Sequence, residues 1–90
     1  MKPISQSFKI VNKLGLHARA AAVFVKTASR FQAEIFISKG HNRVNGKSIM
    51  GILMLAAAFG SKITIEVVGR DAEAALEKLG QLIKRGFNED

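Results

Sequence analysis

Lys62–Val68 alternates without a break, with Ile63, Ile65 and Val67 on one side and Lys62, Thr64 and Glu66 on the other. Successive side chains of a strand point to opposite faces, so this period of two predicts a half-buried strand. Ser5–Val11 sets Phe8 and Ile10 against Ser7 and Lys9, and Ala33–Ser38 sets Ala33, Ile35 and Ile37 on one face. Both read as strands. Lys39-Gly40-His41-Asn42 supplies turn residues, after which Arg43–Asn45 can pair back as a short further strand.

Elsewhere the period lengthens to that of a helix. After an Asn12–Leu16 loop, a first helix is expected from about His17 or Ala18 to Ser29. Its inward stripe is Ala18, Ala21, Ala22, Val25 and Ala28, with Arg19, Lys26 and Arg30 outside. Ser48 is a good N-cap for a second helix reaching about Ala57. Apolar residues from Ile49 to Leu55 run nearly all round that helix, and a small domain cannot bury them all, so some face outward. Asp71 is placed to cap a third helix with Ala72, Ala75, Leu76, Leu79 and Ile83 inward, ended by Lys84, Arg85 and Gly86. The order is β-α-β-β-α-β-α. One apolar face per strand puts all three helices on one side of the sheet, an α+β open-faced sandwich.

Ninety residues make a single domain, 1–90, and an apolar fraction of 48% argues for a globular fold. The absence of cysteine excludes disulfides and thiolate metal sites. The longest apolar run, Ile49–Gly60, is too short to span a bilayer, and Met1–Gln6 lacks the apolar core of a signal peptide; a cytoplasmic protein with no membrane partner is expected. Fourteen Lys and Arg against seven acids give +7, a charge that could serve nucleic acid, a membrane surface or an acidic protein. The positives look scattered, the nearest thing to a cluster being Lys39, Arg43 and Lys47.

The chemistry concentrates at Gly15-Leu16-His17-Ala18-Arg19-Ala20-Ala21-Ala22. Histidine is the side chain most easily kept neutral, and therefore nucleophilic, near physiological pH. At a helix start it neighbours free backbone N–H groups and the positive end of the macrodipole, which suit a phosphoryl group. Arg19 can add a planar charged donor for the same oxygens.

That octet resembles the phosphorylation motif of the HPr family, the histidine-containing phosphocarriers of the bacterial phosphoenolpyruvate-dependent phosphotransferase system. The family string is Gly-Leu-His-Ala-Arg-Pro-Ala, and the one departure is Ala20, where many members have proline. Asn45-Gly46-Lys47-Ser48-Ile49-Met50-Gly51-Ile52-Leu53 resembles the family's regulatory-serine segment. The resemblance implies an antiparallel sheet in the order 1-4-2-3. It implies that His17 takes a phosphoryl group from enzyme I at Nδ1, steadied by Arg19, and passes it to an enzyme II A component. It further implies that Ser48 is phosphorylated by an HPr kinase in many bacteria, and that Ile49, Met50 and Leu53 dock partners. No cofactor or metal is expected, and a monomeric carrier, not a complete enzyme, is. Within the family, Asn12-Lys13-Leu14-Gly15 and the Gly86–Asp90 tail point to the nitrogen-related regulatory branch, and Ser48-Ile49-Met50-Gly51 to the kinase-regulated sugar branch.

Other readings are weaker. Gly46-Lys47-Ser48 resembles the end of a nucleotide P-loop, but the required first glycine falls on His41. His17 and His41 make a poor metal set without cysteine or an acidic cluster, and His41 reads as a solvated turn residue. A Ser-His-Asp triad lacks its serine elbow. From another class, the element order and charge are those of a small basic RNA-binding module. Such a module stacks bases on aromatic residues of its central strands, and only Phe36 of the six phenylalanines looks placed for that.

Overall fold

Lys62–Val68 forms the strand around which the sheet is built. In the computed structural model, which describes residues 1–89, strands β1 (Ile4–Lys9), β2 (Glu34–Lys39), β3 (Asn42–Asn45) and β4 (Lys62–Val68) form one antiparallel sheet in the order β1-β4-β2-β3. The register brings inward side chains together: Phe8 opposite Ile63, Ile37 opposite Ile65, Ile35 opposite Val67. Helices α1 (Ala18–Ala28), α2 (Ile49–Met54) and α3 (Ala72–Lys84) complete the β-α-β-β-α-β-α order. No helix among the described residues is long and apolar enough to cross a membrane.

The core lies between the helices and the apolar sheet face, around Ile10, Phe24, Ile35, Ile37, Ile52, Ile63, Ile65, Leu79 and Ile83, all fully buried. Each large side chain removed from water contributes about 1.5–3 kcal/mol. The α3 stripe is the expected one, with Ala72, Ala75, Leu79 and Ile83 buried and Leu76 half-buried.

The α1 stripe is rotated from its expected phase. Ala20, Ala21, Phe24 and Ala28 are buried, Val25 is half-buried, and Ala18 and Ala22 face solvent. Phe24 is the bulkiest apolar side chain in the helix, so its burial, not that of the surrounding alanines, sets which face turns inward. Helix α2 also ends before the expected Ala57. Ala56 turns left-handed at φ 49°, which stops the helix and returns Ala57 to the core.

Two polar side chains organise the loops. Ser48 caps α2 as expected, its Oγ accepting from the Gly51 N–H at 3.0 Å. Asp71 precedes α3 but makes no side-chain cap; its carboxylate instead accepts the Gln32 and Ala33 N–H groups, both at 2.9 Å. These two donors open the path into β2 and have no strand partner, so the carboxylate is better used there. The Gln32 N–H holds the Asp71 carboxyl below its ordinary range.

Candidate functional site

The approach to His17 is set by backbone. Gly15 adopts φ +68°, where a Cβ would stand 2.5 Å from the Ala57 carbonyl oxygen. The next residue, Leu16, donates its N–H to that same oxygen at 2.8 Å and buries its side chain. The loop after β1 is thereby fastened to the segment following α2, and the chain turns into α1 with His17 as N-cap. The His17 carbonyl accepts the first helical bond, from Ala21 N–H at 2.8 Å, and its side chain makes no capping bond.

The imidazole is held from the far end of the chain instead. Its Nε2 lies 2.5 Å from Oε2 of Glu89. Asn12, itself buried, donates from Nδ2 both to the Gly15 carbonyl at 2.8 Å and to Oε1 of Glu89 at 3.0 Å. One asparagine therefore ties the loop before His17 to the carboxylate that grips it. Glu89 reaches this position through a tight turn beyond α3, in which Gly86, Phe87 and Asn88 all take positive φ and the Phe87 ring is buried. Left-handed backbone is costly for a bulky residue, and burial of the ring offsets that cost. The bond from Asn12, with the His17 bond and the positive charges of His17 and Arg19, holds the Glu89 carboxyl below its usual range against the opposing effect of burial.

These contacts set the tautomer of a neutral ring. An ionised carboxylate only accepts, so a neutral ring bonded to it carries its proton on Nε2 and its lone pair on Nδ1. Nδ1 makes no hydrogen bond with any described residue and is not among the buried unpartnered atoms. His17 lines a cleft of about 500 Å³ together with Lys13, Leu14, Arg19 and Glu89. Arg19, in the first turn of α1, has no ion pair with a described residue, and no acid occupies that turn. The N–H groups of Ala18 and Arg19 precede the helical ladder and stay free for an anion. The His17 ring, the Arg19 guanidinium and the start of α1 thus meet at one open cleft.

Ser48, Ile49, Met50 and Leu53 lie on a different element. Ile49 and Met50 are exposed at 40% and 70%, whereas Leu53 is half-buried against the core. Met54, at 77%, extends the apolar surface instead. The Lys39, Arg43 and Lys47 cluster disperses on folding: Lys39 donates to the Ala56 carbonyl, Lys47 to the Phe31 carbonyl, and Arg43 to Glu66. Arg43 also covers the Phe36 ring, 3.7 Å from its centroid, so that ring offers no open platform for a base. Glu89 and Asn12 escaped the sequence reading. Their signal, an asparagine opening the loop and a breaker-rich Gly-Phe-Asn before an acid, becomes legible only once both ends of the chain are seen to meet.

Residues 4–85 match the family described as PTS HPr component phosphorylation site. The chain is 51% identical over 86 residues to phosphocarrier protein HPr of Neisseria meningitidis, covering 96% of this chain and 97% of that protein. It is 42% identical over 89 residues to phosphocarrier protein NPr of Shewanella violacea, covering 99% and 98%. A crystal structure of HPr from Thermoanaerobacter tengcongensis superposes with a TM-score of 0.91 at 43% identity, covering 100% of this chain and 99% of that one.

Proposed function

The chain belongs to the HPr family of phosphocarriers of the phosphotransferase system, and on that premise we propose that His17 is its phosphoryl acceptor, reacting through Nδ1. The observation that carries the reading is the grip of Glu89 on Nε2, which leaves Nδ1 as the nitrogen with a lone pair on a residue that lines the cleft. The Nδ1 lone pair forms the new N–P bond as the bond from phosphorus to the donor breaks, and the donor keeps its electron pair. Arg19 and the free amides of α1 stabilise the oxygens in flight. Enzyme I is the donor and an enzyme II A component the recipient. The cleft is open, and Glu89 is occupied in holding the ring, so the protein acts in this reading as a covalently modified carrier and not a turnover enzyme.

Ser48 regulates docking in this reading. It stands at the edge of the exposed Ile49 and Met50 surface, where phosphorylation by an HPr kinase would add roughly two negative charges. The nitrogen-related branch is the second reading, favoured by the near full-length match to an NPr protein; transfer rates to enzyme II A components of the sugar and nitrogen branches discriminate the two. The test of the central claim is incubation with enzyme I and labelled phosphoenolpyruvate. The wild type should give an acid-labile, base-stable adduct, and a labelled His17→Ala variant would overturn the assignment.

A further inference from the structure

Folding gathers four positive charges that are far apart in the sequence. Lys26 and Arg30 from the α1 side and Lys78 and Arg85 from the α3 side line a groove of about 350 Å³ between the two helices. No carboxylate among the described residues lines it. None of the four cations has an ion pair among the described residues, where the pairs are His17–Glu89 and Arg43–Glu66. The acids of this stretch lie elsewhere: Glu73 and Glu77 line a groove against β1, together with Lys84, while Lys78 and Arg85 face the groove shared with α1.

Cations near a helix C-terminus complement its dipole, which accounts for Lys26, Arg30 and Arg85. It does not account for Lys78, midway along α3. Lys26 in the last turn of α1 and Arg30 just beyond its end bring two further like charges to the same groove. We propose that this groove is a binding site for a small anion carrying a chain of two or three phosphate groups, separate from the His17 cleft. A single carboxylate would occupy one of the four cations; a phosphate chain presents several charged oxygens along its length and can meet cations on both walls. Guanidinium groups match phosphate oxygens in pairs, and lysines supply point charges. Asn88, which also lines the groove, adds a neutral donor. The groove depends on no part of the reading of His17.

The phosphate chain could be inorganic or part of a nucleotide, and the experiment separates the two. The full chain, labelled with ¹⁵N, is titrated with tripolyphosphate, ATP and adenosine at about 150 mM salt, where weak surface pairing is screened. Saturable amide shifts at Lys26, Arg30, Lys78, Arg85 and Asn88 support the site with either phosphate ligand. Tighter binding of ATP identifies a nucleotide, and equal binding an inorganic chain. Lys78→Ser/Arg85→Ser should weaken binding roughly tenfold or more, and Lys26→Ser/Arg30→Ser should do the same should the first pair unsettle α3. Lys9→Ser/Lys62→Ser removes the same charge from the sheet and should bind like the wild type. Shifts spread over every lysine, equal losses in the sheet variant, or binding of adenosine alone would overturn the proposal.

Discussion

Glu89 and His17 meet at 2.5 Å although 72 residues separate them in the chain. The contact selects the ring tautomer, so Glu89→Ala should release it. Nitrogen NMR of wild-type His17 should show the Nε2–H form, and the variant a mixture of both. An unchanged tautomer in Glu89→Ala would remove the positioning role. The same contact predicts a pH dependence. The Glu89 carboxyl sits below its ordinary 4.5 in the folded chain, so its contribution to stability is complete above that value and lost as pH falls through the folded one. Asp71 contributes in the same direction, so the wild type must be compared with Glu89→Gln. The variant's stability should fall less steeply below pH 4.5, as read by urea midpoints.

Arg19 lies exposed on α1 and lines the His17 cleft. Its removal should therefore leave folding within about 0.5 kcal/mol of the wild type. Arg19→Ala should nonetheless slow enzyme I-dependent phosphorylation by ~10–10³-fold, the range for losing one charged contact in a transition state. Rapid-quench rates at matched salt check it; equal rates would leave the α1 amides as sufficient.

Ser48 tests whether charge alone controls docking. Aspartate is as good an N-cap as serine, so Ser48→Asp should keep α2 and change only the charge beside Ile49 and Met50. If an acidic partner surface meets this basic carrier, the added negative charge opposes the encounter, and Ser48→Asp should raise the apparent KM for phosphorylation by enzyme I. Ser48→Ala should match the wild-type KM. Identical kinetics for all three would reduce Ser48 to a helix cap.

Gly15 should be intolerant of a side chain. Alanine there would need left-handed φ and would press its Cβ on the Ala57 carbonyl, a backbone atom that cannot swing aside. Gly15→Ala should lose about 2–4 kcal/mol in denaturant unfolding. A loss below about 1 kcal/mol would mean that the loop accommodates the change without holding Leu16 to Ala57.

The parts legible in the sequence were those whose signal is local. Lys62–Val68 alternates perfectly and becomes β4 with the expected bounds. Ser48 caps α2 because a side-chain oxygen and an amide three residues on need no distant partner. The bounds of α1 are legible but its rotation is not, since a run of near-equivalent alanines carries little phase and the burial of Phe24 sets the inward face. Asp71 stood at a helix start yet serves Gln32 and Ala33, donors on another element. His17 and Arg19 were visible as a pair. Glu89, the residue that orients His17, was not, because nothing within a few positions of either names the other. The four groove cations were hidden for the same reason: only the packing of α1 on α3 makes them neighbours.

A ring anchored at one nitrogen has a single direction from which its other nitrogen can be approached. Two proteins that use Nδ1 in turn must come along that same line, and neither can arrive while the other is present. Delivery and collection then alternate, each visit ending before the next begins.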